Sequence, residues 1–115
     1  MPTETSVPHP LPEPLTELVA QRFRVLGEPM RIRLLDRLRE GDATVGELQE
    51  ALGANQQNVS KHLGILHAAG MVSRTKVGNS ARYAISDPSV FELCDQVCGA
   101  VRRQVAELEA ILQPT

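Results

Sequence analysis

The run Asn55-Gln56-Gln57-Asn58-Val59-Ser60-Lys61-His62-Leu63-Gly64-Ile65-Leu66-His67-Ala68-Ala69-Gly70 decides how the rest of the chain is read. It opens on an asparagine, whose side chain caps helix N-termini, and closes on a glycine, which ends helices. Between them Val59, Leu63 and Leu66 recur at the spacing that puts them on one helix face. The remaining surface carries Gln56, Gln57, Ser60 and Lys61, polar side chains able to hydrogen-bond base edges or phosphates, with no carboxylate among them. That combination predicts the second helix of a helix-turn-helix, the member that lies in a DNA major groove.

The flanks agree. Upstream, Thr44-Val45-Gly46-Glu47 sets a hydroxyl three residues before a carboxylate, a capping box, and Val45, Leu48 and Leu52 supply the buried side of a short third helix. Gly53-Ala54-Asn55 makes the turn between the two helices. Earlier still, Leu15, Leu18, Val19, Phe23 and Leu26 mark a first helix that Gly27 stops, and Met30, Ile32, Leu34, Leu35 and Leu38 mark a second that begins at Pro29 and runs to Gly41. Arg31, Arg33, Arg37 and Arg39 interleave with these; they read as a solvated or inter-helix-paired face, with a phosphate contact from one as the rival reading. Before Leu15, residues 1–14 hold Pro2, Pro8, Pro10, Pro12 and Pro14 and almost no bulky apolar side chain, so this arm is expected to be disordered, with His9 idle in it. The folded unit is expected to span residues 15–112.

Downstream, Met71 to Val77 and Ala81 to Ile85 flank Gly78-Asn79-Ser80, the pattern of a two-stranded hairpin. Arg74, Lys76 and Arg82 make it basic, so it reads as a wing gripping the DNA backbone beside the recognition helix. Asp87-Pro88 then caps a last helix running to about Leu112, roughly 37 Å at ~1.5 Å per residue. Its stripe of Val90, Cys94, Val97, Cys98, Val101, Val105, Leu108 and Leu112 exceeds what so small a domain needs for its own core, which predicts pairing with a second subunit. The expected architecture is mainly α: a winged helix-turn-helix of about five helices with a two-stranded wing.

A chain of 115 residues with Phe23, Phe91 and Tyr83 as its aromatics is one domain with an aliphatic core. Its net charge of −2 and pI near 5.9, taken as totals, argue against nucleic acid. The distribution says otherwise, because no Asp or Glu occurs from Gln56 to Ser86 while Lys61, Arg74, Lys76 and Arg82 do. A cytoplasmic location and no membrane contact are expected, since neither a signal pattern nor a spanning apolar run is seen. An enzyme is not expected: there is no Cys-x-x-Cys pair, no phosphate-cradling glycine loop and no histidine beside the cysteines to activate a nucleophile.

The runs Leu26-Gly27-Glu28-Pro29-Met30-Arg31-Ile32-Arg33-Leu34-Leu35, Val59-Ser60-Lys61-His62-Leu63 with Leu66, Ala69-Gly70-Met71-Val72, and Gly78 with Arg82-Tyr83 together resemble the ArsR/SmtB family of winged-helix repressors. The likeness covers about Leu15 to Leu112. It implies a homodimer formed through the first and last helices, bound to a palindromic operator near its own gene and released by a metal, a metalloid or an oxidant. Two departures limit what carries over. Where members that sense thiophilic metals through the third helix have Cys-x-Cys, this chain has Val45-Gly46-Glu47-Leu48, and no histidine follows His67 to build the zinc site of the last helix.

Cys94 and Cys98 lie four apart on the last helix, with both thiols on the face assigned to the subunit contact. Three readings stay open: a site for As(III) or a soft divalent metal, alone or with the symmetry mates; a thiol-redox or reactive-sulfur sensor; and plain packing. No cofactor is expected to be required for DNA binding itself. For that contact, Gln56, Gln57 and Asn58 are expected at base edges, Ser60, Lys61 and His62 at phosphates, and Arg74, Lys76 and Arg82 along the backbone from the wing.

Overall fold

The computed structural model describes residues 6–114. The start of the arm, residues 1–5, lies outside the described residues, and 6–12 form neither helix nor strand. The first helix, α1 (Glu13–Leu26), begins two residues earlier than the sequence suggests. The last proline of the arm sits in its first turn, where the missing N–H would have no partner in any case. Gly27 ends it, and α2 (Pro29–Leu38) follows, its first two free N–H groups donating to Glu28 Oε1 at 2.6 Å from Met30 and 3.4 Å from Arg31.

A short strand β1 (Ala43–Thr44) precedes α3 (Val45–Leu52), whose capping box closes as expected: Glu47 N–H donates to Thr44 Oγ1 at 3.1 Å and Thr44 N–H to Glu47 Oε1 at 2.9 Å. Gly53, at φ +62°, turns the chain into α4 (Gln56–Ala68). Strands β2 (Val72–Val77) and β3 (Ser80–Ile85) form the hairpin, and α5 (Ser89–Leu112) closes the chain. Asp87 Oδ1 accepts from both Ser89 N–H and Ser89 Oγ, so it caps α5 from one position further out than the sequence suggests.

The wing is three-stranded rather than two-stranded. β1 pairs antiparallel with β3, Ala43 opposite Tyr83, giving the order β1-β3-β2. Two residues carry too little periodicity to announce a strand, which is why the sequence showed only the capping threonine there.

Leu34, Leu35 and Leu38 of α2, Leu48 of α3, Val59, Leu63 and Leu66 of α4, and Met71, Val72, Tyr83 and Val90 form the core. From α5 only Val90 is fully buried, with Phe91, Leu93 and Cys94 packed against the core's edge. The rest of that helix runs clear of the body: the radius of gyration is 17.6 Å, against about 13 Å for a compact domain of ~100 residues. Val97, Val101, Val105, Leu108, Ile111 and Leu112 are left exposed along it, and Leu18, Val19 and Phe23 along α1. No helix among the described residues is long and apolar enough to cross a membrane.

Candidate nucleic-acid interface

Helix α4 is fixed at its start by Asn55, whose Oδ1 accepts from Asn58 N–H at 2.8 Å, and is ended by Gly70 at φ +77°. Val59, Leu63 and Leu66 are all 0% exposed, so the rotation of the helix is set by its inner face. Gln56, Gln57, Ser60, Lys61, Gly64, His67 and Ala68 are exposed. Gly64, about two turns beyond Gln57, falls in the middle of this outward surface. It is an unforced glycine: a Cβ built there would meet nothing within 4 Å, yet a helix-interior glycine costs about 1 kcal/mol relative to alanine.

Two residues expected on the outward face are not placed there. His62 is 6% exposed, a quarter-turn on the core side, with its Nδ1 3.0 Å from Arg31 Nη1. A guanidinium only donates, so Nδ1 accepts and the ring proton sits on Nε2, 3.9 Å from Glu28 Oε1. His62 therefore binds the α1–α2 corner, and a phosphate role for it is withdrawn. Asn58 is half-buried on the flank of the helix.

The wing divides its basic residues between two faces. Arg74 pairs with Tyr83 in register and Arg82 with Thr75, so the alternation of side chains sends Arg74 and Lys76 one way and Arg82 the other. Arg74 Nε donates to Tyr83 Oη at 3.2 Å, leaving the rest of its guanidinium exposed, and Lys76 is exposed near the hairpin tip. Arg82 instead reaches Asp42 Oδ1 at 3.4 Å and Glu47 Oε1 at 3.5 Å. The Thr44 backbone N–H, and next the Arg82 charge, hold the Glu47 carboxyl below the usual range. Arg82 is thus occupied at the base of the wing, where it ties β3 to α3, and is not among the cations free to grip a backbone.

Two arginines tie the helices together, Arg31 from the row expected to pair between helices and Arg22 with no local pattern to mark it. Arg31 donates to Val25 O at 2.6 Å and Arg24 O at 3.3 Å as well as meeting His62, so one side chain joins the end of α1 to α4. Arg22 of α1 donates to Ala69 O at 2.8 Å and to Asp87 Oδ2 at 2.7 Å. The Ser89 hydroxyl, then Arg22, hold the Asp87 carboxyl low. Of the other arginines, Arg33 donates to Leu52 O, and Arg39 forms a forked pair with Asp95 at 3.1 and 3.0 Å while stacking over the Phe91 ring. Arg31, Arg33 and Arg39 thus pair between helices, while Arg37 lies 4.0 Å from Glu40, three residues on.

Cys94 is half-buried and Cys98 exposed. Both line an apolar groove of about 430 Å³ with Phe23, Leu26, Ile32 and Val97, between α1, α2 and α5. Burial, and next the Asp95 carboxylate, push the Cys94 thiol above its ordinary range. Among the described residues no three His, Cys, Asp or Glu side chains cluster as metal ligands would.

A capped helix with a polar, carboxylate-free outward face, a short helix and glycine turn before it, and a hairpin after it define a winged helix-turn-helix. The family profile described as "Bacterial regulatory protein, arsR family" matches residues 28–74. The HTH-type transcriptional regulator Rv0081 of Mycobacterium tuberculosis is 37% identical over 102 residues, covering 88% of this chain and 90% of that one. Its crystal structure aligns with a TM-score of 0.74 over 84% of this chain and 97% of that one. The chain belongs to the ArsR family of helix-turn-helix transcriptional regulators. Two further solved structures are similar. The antimony-specific transcriptional repressor AntR aligns with a TM-score of 0.76, 25% identity and coverage of 92% of this chain and 96% of that one. The homodimeric winged helix-turn-helix DNA-binding domain of Mb0332 from Mycobacterium bovis aligns at 0.68, 27% identity, 76% and 82%.

Proposed function

We propose that this chain is a homodimeric repressor of a palindromic operator, and that a soft metal or metalloid bound at Cys94 and Cys98 controls its grip. The outward face of α4 carries the DNA part of the reading: Gln56, Gln57, Ser60 and Lys61 stand exposed on a helix whose inner face is locked, with Arg74 and Lys76 beside it. The unpartnered apolar faces of α1 and α5 support the dimer, as does the homodimeric state of the Mb0332 neighbour. A dimer whose recognition helices sit about 34 Å apart meets successive major grooves, so rotation at the subunit contact spoils both half-sites together.

Gln57 reads base edges in this scheme and Lys61 holds a phosphate. Lys61→Ala is expected to weaken binding to all duplexes alike and to lower the salt slope by about 1, whereas Gln57→Ala relaxes sequence preference and leaves the slope unchanged. Titration against a duplex selected by the wild type from a random library, and against random duplex, separates the two; equal effects of both variants on both duplexes would sink the division of roles.

The effector reading rests on two thiols opening on one groove, one helical turn apart. Within a protomer they offer two sulfurs, so a second copy or a solvent thiol must complete a soft ion's coordination. The raised Cys94 thiol does not choose between ion and oxidant, because the thiolate is what either one meets; a binding metal must displace its proton. The AntR neighbour, antimony-specific by name, fits a trivalent metalloid. Arsenite is expected to release the reduced wild type, but not Cys94→Ser/Cys98→Ser, from the selected duplex in fluorescence anisotropy. Release of both proteins, or of neither, would count against the thiol site.

A further inference from the structure

We propose that Gly64 is a specificity-determining position of the DNA interface: the bare backbone at the middle of the α4 outward face is where the duplex comes closest, and a side chain there holds the helix off the groove. The inference rests on α4 being the DNA-contacting helix and adds the residue that sets how deeply it enters.

Nothing inside the protein asks for this glycine. The left-handed positions that favour glycine are Gly41, Gly53, Gly70 and Gly78, and Gly64 is not one of them. At Gly27 an added Cβ would lie 3.3 Å from Phe23 O, a crowding that accounts for that residue, but at Gly64 it would point into open space. Helix α4 therefore carries a glycine that weakens it with no compensation from packing. Gly46 and Gly99 are likewise uncrowded within helices, but Gly64 alone of the three lies on the outward face of α4, where a missing Cβ lets another molecule reach the backbone.

Its place on the helix says which molecule. Gly64 follows Ser60 by four residues and Lys61 by three, so those two polar side chains sit one turn before it on the same surface. Val59, His62, Leu63 and Leu66 are all turned away into the core. Four residues on, exposed Ala68 continues the low surface. Gln56, Gln57 and Lys61 thus reach out at the N-terminal end of the helix, where base edges are met, and exposed His67 stands to one side further on, while the line through Gly64 and Ala68 between them is stripped down where a recognition helix passes close to the duplex. Deep entry brings Gln56 and Gln57 within hydrogen-bond distance of bases; non-specific binding, held by Lys61 and the wing, does not need it.

One substitution is expected to move stability and recognition in opposite directions. At one fixed protein concentration, Gly64→Ala raises Tm by about 4 °C, because alanine removes the glycine penalty. Affinity for a duplex that the wild type selects from a random-sequence library falls by about tenfold in Gly64→Ala, a loss of the size of one mismatched base pair, and further in Gly64→Gln. Affinity of both variants for random duplex at low salt stays close to that of the wild type. The proposal is overturned if both variants bind the selected duplex as tightly as the wild type, or if Gly64→Ala lowers Tm, since the fold itself would then require the glycine. A wild type that selects no sequence would instead remove the reading of α4 on which the proposal rests.

Discussion

Val101→Asp is expected to leave the winged helix folded, to convert the protein to a monomer, and to lower its affinity for a two-half-site duplex by about a hundredfold or more. Val101 is 51% exposed on the half of α5 that runs clear of the body, amid Val97, Val105 and Leu108. It makes no contribution to the protomer's core, so far-ultraviolet circular dichroism should not change. In a dimer the same position is dry, and burying an unpaired carboxylate there costs several kcal/mol, enough to separate the subunits. Affinity falls because the second half-site is then no longer delivered at high effective concentration by the first. Sedimentation velocity beside anisotropy on full and half duplexes checks both parts. A variant that stays dimeric would move the subunit contact away from this face.

Leu63→Ala should be strongly destabilising. Leu63 is 0% exposed and belongs to the same core cluster as the α2 and α3 leucines, so its loss is expected to cost about 2–5 kcal/mol. Against a total of about 5–15 kcal/mol for a typical domain, that is enough to populate the unfolded state visibly on mild heating. Urea unfolding monitored by circular dichroism measures it directly. A loss below about 1 kcal/mol would mean that the α4 inner face packs loosely, and that its outward face is not held at one angle.

The helices were legible because their signals are local: caps at Thr44 and Asn55, glycine stops, and leucines at helical spacing report on neighbours within a turn or two. The surplus stripe on α5 was legible for the same reason. What escaped depends on contacts distant in sequence. Arg31 and His62 are 31 residues apart, and Arg82 and Asp42 are 40 apart. Val59, His62, Leu63 and Leu66 at i, i+3, i+4 and i+7 do put that histidine on the inner stripe, and only its partner, Arg31, lies beyond the reach of periodicity. The basic residues of the wing were legible, but which face each one takes was not. A shift of one residue in register would have turned Arg82 outward, and register is fixed by the pairing itself. Gly64 stood in plain view, but only the empty space around it separates an unforced glycine from a packed one.

Arg22 has a mechanical consequence. Its guanidinium holds the carbonyl that ends the recognition helix and the carboxylate that starts the long one, while its own backbone belongs to the helix exposed beside them. Three rods meet at one joint, tied by a guanidinium that is itself 45% exposed, so the tie is a soft one. It links the outer pair to the tail of the recognition helix by a route separate from the leucine core. Slackening the joint would leave every rod in place and take away the stiffness between them.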